Sequence, residues 1–493
     1  MRLSQLVKQS TLYTIGNLAQ RAVGLIMVPF YTHFLQPADY GLLEMMELLL
    51  AVFAISFGLQ VVGDAMVRIV HDYEGLDDRR AAVSTGLVTA AGLGVVIAVV
   101  GWTLAVPISN LTFQTDAYAT LVRAFFAAQL ASSLVEIALV HERMCGRAGF
   151  FVGYSLIQLA LTLGLNVWFI AYRDQGVWGF VLSKLIVQGV GGAYLALRTL
   201  RQTGLAFRPR VLREMISFGA PLIASAAGFF IVHFADRFFI VRSPGGLGEA
   251  GVYSLAYKFA FLVTYLVGEP FGRVWNVSLY GDAGRPGWRR RFSRILRYLV
   301  FFLFFVAVGI ALFVDEALVV LADSAFHGAA GLVPLLVLAY VLREFGDFFR
   351  TLLYINKRSR LVGLVALFCA ALNLGLNAWW ISRWGAMGAV MATLATFGVY
   401  ALLCWRAADR EHRLPYPLMS FLGVFAFALM CCSLGQLTEH LPLALQWIVD
   451  AGLFGAFAGG LWLAGYFPRD DRDAAWDALR GYLRRGADHG RPA

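Results

Sequence analysis

The sequence has little charge for its length. Only 15 % of its 493 residues are charged, whereas 59 % are hydrophobic. Soluble proteins carry about 25 % charged and 45–50 % apolar residues. A large soluble protein needs more charged residues than this to cover its surface, so the composition argues against a water-soluble enzyme. The high hydrophobic content excludes a disordered chain. The composition instead predicts a polytopic membrane protein.

Cysteine is also scarce, with five residues in the chain. None forms a C-x-x-C pair or lies beside a cluster of histidines, so we expect no disulfide framework, no bound metal and no cofactor. The net charge of +10 raises the question of nucleic acid. However, the basic residues form short clusters between long apolar runs, which is typical of cytoplasmic loops, and we expect no nucleic-acid partner.

Long apolar runs dominate what the sequence does contain. A helix needs about 20 apolar residues to cross the hydrocarbon core of a bilayer. By this criterion the sequence predicts an all-α polytopic membrane protein with about fourteen transmembrane helices. Their predicted limits are 10–32, 40–63, 81–106, 117–140, 151–171, 178–197, 214–240, 251–272, 298–314, 332–354, 361–381, 386–405, 417–436 and 444–467.

The distribution of lysine and arginine predicts the orientation of these helices. With a cytoplasmic N-terminus, 31 of the 41 basic residues fall in cytoplasmic segments and only 3 in outer loops. This asymmetry follows the positive-inside rule. Because the number of spans is even, we expect both termini to be cytoplasmic.

The chain also contains an internal repeat. Residues 161–168 (LTLGLNVW) match residues 372–379 (LNLGLNAW) at six of eight positions, with an offset of 211 residues. A weaker match relates Tyr40-Gly41-Leu42 to Ala250-Gly251-Val252. The stronger match joins the fifth and eleventh predicted spans, so both copies have the same topology, as in the parallel repeats of transporters.

This repeat predicts the domain organisation. Two lobes of six helices are related by the repeat, and two C-terminal helices lie outside it. The predicted parts are an N-terminal lobe over 1–200, a C-terminal lobe over 201–413, helices 13 and 14 over 414–467 and a cytoplasmic amphipathic tail over 468–493. Two facing lobes imply a central cavity and alternating access.

Several charged residues lie inside predicted spans, where each costs about 2.5–3.5 kcal/mol at mid-membrane and must face protein or water. Four bases have no acid at the helical spacings of three or four residues: Arg21, Arg123, Lys184 and Lys258. If they converge, they form a cationic cavity that suits a phosphate or diphosphate. The alternative is that they pair with Glu44, Glu47 or Glu136 on other helices.

Other in-membrane bases have acids nearby in sequence. Arg343 and Asp347 have the spacing of a helical ion pair. Asp236 and Arg237 are adjacent, so we predict that they serve different neighbours. Arg237 and Arg343 complete the set of candidate substrate-binding cations. The candidates for proton or sodium coupling are Glu44, Glu47, Asp236 and Asp347.

Short motifs along the chain resemble those of a known family. They are Tyr13-Thr14-Ile15-Gly16-Asn17, Pro29-Phe30-Tyr31-Thr32-His33-Phe34-Leu35, Ala38-Asp39-Tyr40-Gly41, Phe218-Gly219-Ala220-Pro221-Leu222, Asp236-Arg237 and Gly251-Val252-Tyr253. Together they resemble the Wzx-type polysaccharide flippases of the multidrug/oligosaccharidyl-lipid/polysaccharide exporter superfamily. Many Wzx-type members have twelve spans, whereas fourteen are predicted here. In the number of spans, this chain is more similar to the lipid II flippase branch or to longer polysaccharide exporters.

The resemblance implies two helical bundles around a cation-lined cavity. It implies transport, without enzymatic activity, of an undecaprenyl-diphosphate-linked oligosaccharide between the leaflets of a bacterial inner membrane, with Arg21 as the closest match to a family transport residue. The implied partners are this lipid, membrane lipids and other polysaccharide-assembly proteins. Two alternatives stay open: a cation-coupled exporter of drugs or small molecules with the same fold, and an integral-membrane polysaccharide polymerase or glycosyltransferase. The short outer loops and the repeat argue against the enzyme.

Overall fold

The computed structural model describes residues 27–273, 275, 287–412, 418–438, 440, 442–468 and 470–473. Within these ranges the chain is helical and has no β-strand, so the predicted all-α fold is confirmed. The helices are α1 Pro37–Ser56, α2 Leu59–Asp72, α3 Leu76–Thr103, α4 Ala105–Phe113, α5 Ala119–Met144, α6 Ala148–Asn166, α7 Gly176–Thr203, α8 Pro209–Phe234, α9 Asp236–Ile240, α10 Gly246–Val263, α11 Trp288–Leu321, α12 Val333–Ile355, α13 Ser359–His412, α14 Leu418–Gln436 and α15 Leu443–Leu463. Most of the first predicted span and of the predicted tail lie outside the described residues.

The described part of the chain contains ten helices that are long and apolar enough to cross a membrane. One of them, α13, contains Gly385 at φ 54° and ψ −134°, a conformation that breaks the helix between the two spans predicted there. Helices α1 and α2, which are bent by 40° relative to each other, are apolar enough only when taken together, as one broken span or as a re-entrant pair. Helix α8 covers the seventh predicted span but is not among the ten. The chain is therefore a multi-pass membrane protein, and the exact number of its spans remains a prediction.

The helices form two compact units. The first comprises the described residues within Met1–Lys258, Leu321–Leu332 and Ala366–Thr393, and the second comprises those within Phe259–Val320, Val333–Val365 and Leu394–Ala493. In the first unit, α5 packs against α3 and α7. Gly101 of α3 lies against the Phe126 ring of α5, and Gly192 of α7 lies against the Ala131 carbonyl. Small residues at such positions let membrane helices approach closely. In the second unit, α14 and α15 pack together.

The repeated segments have the same burial pattern in both copies. Asn166 and Asn377 are fully buried, whereas Trp168 and Trp379 are 51 % and 53 % exposed. The Asn166 amide donates to the Tyr31 hydroxyl, and the Asn377 amide donates to Asn373 Oδ1, both over 2.9 Å. A buried asparagine followed two positions later by an exposed tryptophan is thus a structural signature of the repeat, as well as a sequence match.

The weaker repeat also has a structural counterpart. Gly41 of α1 and Gly251 of α10 are in backbone contact, since the amide nitrogen of each lies about 3 Å from the position that a Cβ would take on the other. A Cβ on Gly41 would clash with the Leu247 carbonyl, and one on Gly251 would clash with the Pro37 carbonyl. The two repeat-related glycines are therefore what lets the helices cross at this distance.

This contact gives a prediction for stability. Gly41→Leu is expected to lower the free energy of unfolding by about 1–3 kcal/mol or more, because backbone atoms cannot move aside for the new side chain. The matched control is Gly92→Leu, since Gly92 is exposed on α3 and no described residue lies within 4 Å of its Cβ position. Thermal unfolding of the purified protein in detergent measures both. Equal melting temperatures for the two variants would contradict the close crossing.

Candidate functional site

A polar cavity of about 370 Å³ lies in the first unit. Its size is within the range of small-molecule sites. Helices α1, α6 and α7 supply most of its walls, and Lys258 of α10 completes it. The lining residues are Met27, Tyr31, Leu43, Glu44, Glu47, Ser155, Gln158, Leu159, Thr162, Asn166, Phe180, Lys184, Val187, Gln188 and Lys258.

Lys258 lies at this cavity with two oxygen partners from α1. Its Nζ is 2.7 Å from Glu44 Oε1 and donates to the Tyr40 hydroxyl over 2.6 Å. Tyr40 is fully buried and packs edge-to-face against Phe326, with ring centroids 5.6 Å apart. The phenol is therefore fixed by packing, and it holds the lysine amine in place.

Lys184 of α7 forms the second ion pair of the cavity. Its Nζ donates to Glu47 Oε1 over 2.5 Å and lies 5.5 Å from the centroid of the Phe125 ring. Glu44 and Glu47 are three positions apart on α1, so they share one face of this helix. Two lysines from different helices thus meet two carboxylates from one helix.

These pairs correct the picture of a purely cationic cavity. Among the described residues, the lining contains two lysines and two glutamates, so its formal charges balance. Both lysines pair with these glutamates, Lys258 with Glu44 and Lys184 with Glu47, which is the alternative that the sequence analysis left open. The reason is the cost of an unpaired charge inside a membrane, which a partner on a neighbouring helix reduces.

The cavity also contains acceptor atoms that lack a donor among the described residues. They are Gln158 Oε1, Gln188 Oε1 and Asn166 Oδ1, all buried from solvent. A buried acceptor without a partner costs about 1–3 kcal/mol. Hydroxyl groups of a bound molecule would satisfy these atoms, so the cavity combines cationic donors with neutral acceptors.

The other candidate bases lie elsewhere or outside the described residues. Arg21 lies outside them. Arg123 is not part of the cavity lining, and its guanidinium lies 5.8 Å from the centroid of the Trp102 ring. Lys184 and Lys258 are thus the candidates that the structure brings together.

Arg237 forms a buried ion pair with its neighbour in sequence. Its Nη1 is 2.8 Å from Asp236 Oδ1, although adjacent residues were predicted to serve different partners. That prediction was wrong because the long arginine side chain folds back, so that its Nη1 reaches both the His233 carbonyl and Asp236 Oδ1. Asp236 also accepts a hydrogen bond from the Tyr253 hydroxyl over 2.5 Å, and the guanidinium stacks over the Tyr257 ring at 4.1 Å.

Arg343 lines a separate pocket of about 150 Å³ in the second unit. Its predicted pairing with Asp347 is present, with Nη2 3.4 Å from Oδ2. Arg343 Nη1 also lies 2.8 Å from Glu344 Oε1, which in turn accepts a hydrogen bond from Thr264 over 2.6 Å. Thr264 begins a π-helical turn that continues α10 to Gly268, where a Cβ would clash with the Glu344 carboxylate. The coupling candidate Asp347 accepts a hydrogen bond from Tyr400 over 2.6 Å.

Sequence reasoning missed a buried acid at the end of α5. Glu142 is fully buried, with Oε2 3.2 Å from Arg147 Nη1 and Oε1 2.9 Å from Arg198 Nε. Elsewhere in the first unit, the Tyr73 hydroxyl donates to Glu214 over 2.8 Å, and burial together with this carboxylate raises the pKa of Tyr73. The described residues contain no group of three or more His, Cys, Asp or Glu arranged to hold a metal ion.

Comparisons with known sequences identify relatives of the chain. A family model described as "Polysaccharide biosynthesis protein" matches residues 31–330. The chain is similar to the Lsg locus putative protein 1 of Haemophilus influenzae, with 24 % identity over 269 residues. The match covers 53 % of this chain and 62 % of that protein, so the chain spans less than two thirds of this curated relative.

Solved structures with the same fold are transporters. The lipid II flippase MurJ in an inward closed conformation has a TM-score of 0.72 at 14 % identity, over 92 % of this chain and 99 % of that one. An inward-facing multidrug resistance MATE family transporter of the MOP superfamily has a TM-score of 0.63 at 16 % identity, over 81 % and 94 %. A MOP superfamily transporter from Pyrococcus furiosus has a TM-score of 0.56 at 17 % identity, over 83 % and 95 %. At these identities the likeness shows the fold alone.

Proposed function

Because the chain belongs to the polysaccharide biosynthesis protein family, we propose that it flips an undecaprenyl-diphosphate-linked oligosaccharide from the inner to the outer leaflet of a bacterial cytoplasmic membrane. The family membership agrees with the flippase-type resemblance predicted from the sequence motifs. The proposed mechanism is alternating access between two six-helix lobes, over 1–200 and 201–413, with both termini in the cytoplasm.

The observation that carries the proposal is the mixed polarity of the cavity. The amines of Lys184 and Lys258 line the cavity and can donate charge-assisted hydrogen bonds to the oxygens of a diphosphate. Asn166, Gln158 and Gln188 offer acceptors without partners, which suit the hydroxyl groups of a sugar. A cavity for a purely apolar molecule would have no use for either set.

The glutamates give the proposal a coupling step. A diphosphate that binds Lys258 and Lys184 competes with Glu44 and Glu47 for the same amines. In this scheme a proton on each carboxylate would remove this competition, so proton binding and diphosphate binding at the cavity would be linked. In this scheme Glu44 and Glu47 are the coupling residues. Asp236 and Asp347 are engaged by arginine and tyrosine outside the cavity lining, which favours a structural role for them.

The same glutamates also favour a second candidate function, a cation-coupled exporter of small molecules. Two carboxylates on one face of α1 would bind an organic cation once the lysines turn away. The two candidates differ in the sign of the cargo. An exporter of cations needs Glu44 and Glu47 and gains from loss of Lys258, whereas a diphosphate carrier needs the lysine.

A deletion strain tests the proposed function. We expect cells that lack the protein to accumulate lipid-linked repeat units on the inner leaflet, because synthesis continues while transfer stops. Extraction of the lipid fraction, with and without prior treatment of spheroplasts with a membrane-impermeant oxidant of sugars, measures the amount and the leaflet. Complementation with Arg383→Gln, which removes an exposed charge from the first unit, serves as the matched control. Normal turnover of the intermediate in the deletion strain would overturn the proposal.

A further inference from the structure

An apolar groove of about 630 Å³ runs between α6 and α7, next to the polar cavity. All its lining residues belong to these two helices of the first unit. Gly153, Ile157 and Leu161 of α6 face Val190 and Gly191 of α7. Ile157 and Val190 are more than 60 % exposed, so the groove opens to the surface that a bilayer covers.

The groove and the polar cavity share two lining residues, Gln158 and Val187. Gln158 presents its unpartnered Oε1 at this junction. A molecule that occupies both spaces must therefore have a polar part that reaches Lys184 and an apolar part that leaves between α6 and α7. This is the chemistry of a lipid with a charged head group.

Gly153 leaves open space in the groove, because no described residue lies within 4 Å of the position that its Cβ would take. At Gly191, the Tyr154 hydroxyl packs where a Cβ would lie. At the repeat offset of 211 residues, the partner of Gly153 is Leu364, an exposed leucine on α13. The second copy of the repeat thus has a bulky side chain where the first has open space.

We infer that this groove holds the polyprenyl chain of the lipid whose diphosphate lies in the cavity, beginning with the isoprene units next to the head group. The inference rests on the proposed function. Because lipid tails are as apolar as the groove, the chain gains packing contacts there and little transfer free energy. The groove therefore determines the position at which the lipid enters the protein. It contributes little to the binding affinity.

Photocrosslinking on the full-length protein tests the inference. The protein is placed in vesicles of phosphatidylethanolamine and phosphatidylglycerol with undecaprenyl diphosphate that carries a diazirine on its chain. We expect crosslinks within residues 150–161 and 186–194, and we expect unlabelled undecaprenyl diphosphate to remove them. A phosphatidylethanolamine with a diazirine on its acyl chain is the comparison probe, and the competitor should not affect its labelling of other helices.

Substitutions in the groove give a second readout. Gly153→Trp is expected to abolish these crosslinks and to slow transport, because the indole fills the groove. Leu364→Trp, at the repeat-related position, should change neither. Val190→Trp blocks the groove from α7, so the test does not depend on the folding of one variant.

The outcomes separate the groove from the proposed function. Saturable crosslinks that map to other helices, with normal behaviour of Gly153→Trp and Val190→Trp, would overturn the groove and leave the flippase intact. Equal labelling by both probes without competition would make the groove a site for bulk lipid and would also overturn the inference. If the prenyl probe gives no saturable crosslink anywhere on the wild-type protein, both proposals fail.

Discussion

Cells that carry Lys258→Gln are expected to transport the lipid-linked oligosaccharide about ten to a hundred times more slowly than wild type. Lys258 Nζ is held by Glu44 and Tyr40 at the cavity, so it is positioned before any cargo arrives. A hydrogen bond to a charged group contributes about 1.5–3 kcal/mol, which corresponds to this range of rates if it is made in the transport step. The rate of clearance of inner-leaflet intermediate in the complemented deletion strain measures the effect.

Loss of transport in this variant alone has two explanations, because the substitution also breaks an ion pair. Without the lysine, the partly buried Glu44 carboxylate loses its counter-charge, which is expected to lower the free energy of unfolding. The double variant Glu44→Gln/Lys258→Gln replaces both charges with amides and removes this penalty. We expect it to regain the melting temperature of the wild type and to remain defective in transport.

The double variant thus decides whether the pair of Glu44 and Lys258 is only structural. If it regains both stability and transport, the pair is structural and the diphosphate site is wrong. If the single variant Lys258→Gln transports faster than wild type, the cavity prefers cationic cargo and the exporter is the better proposal. Arg383→Gln provides the control for loss of one positive charge, since Arg383 is exposed and outside the cavity.

The sequence predicts the helices better than it predicts the partners of their charges. Apolar runs and the positions of Lys and Arg place most spans, because hydrophobic thickness and loop charge act locally along the chain. The break at Gly385 also falls between two predicted spans. Asn166 and Asn377, at equivalent positions of the repeat, are both buried in the structure, which is consistent with equivalent environments in the two copies.

The partners are set by helix packing, which a single sequence does not specify. Lys258 and Glu44 are 214 positions apart and become neighbours only because α1 and α10 cross at Gly41 and Gly251. Spacing rules for ion pairs apply within one regular helix, so they predict Arg343 with Asp347. They fail for Asp236 and Arg237, because the long arginine side chain folds back. Gly41 and Gly251 match each other in the weaker repeat of the sequence, but the sequence does not indicate that the two glycines are in contact.

The buried pair of Asp236 and Arg237 gives the largest expected effect on stability. Asp236→Asn is expected to lower the free energy of unfolding by about 3–5 kcal/mol, because it removes the carboxylate that pairs with the buried Arg237 guanidinium. Both side chains are almost completely buried. Among the described residues, the other hydrogen-bond partner of Arg237 Nη1 is the His233 carbonyl, at 3.1 Å. Thermal unfolding in detergent measures the loss, and Arg173→Gln, at an exposed position, is the control.

The hydrophobic replacement Asp236→Leu/Arg237→Met separates stability from coupling. Replacement of a whole buried ion pair by apolar side chains of similar volume is often neutral or stabilising, so this variant is expected to recover most of the melting temperature lost in Asp236→Asn. If Asp236 only holds Arg237 and Tyr253 in place, transport recovers as well. If the variant is stable but transport no longer responds to the proton or sodium gradient, Asp236 is a coupling residue and the structural role inferred from its contacts is wrong.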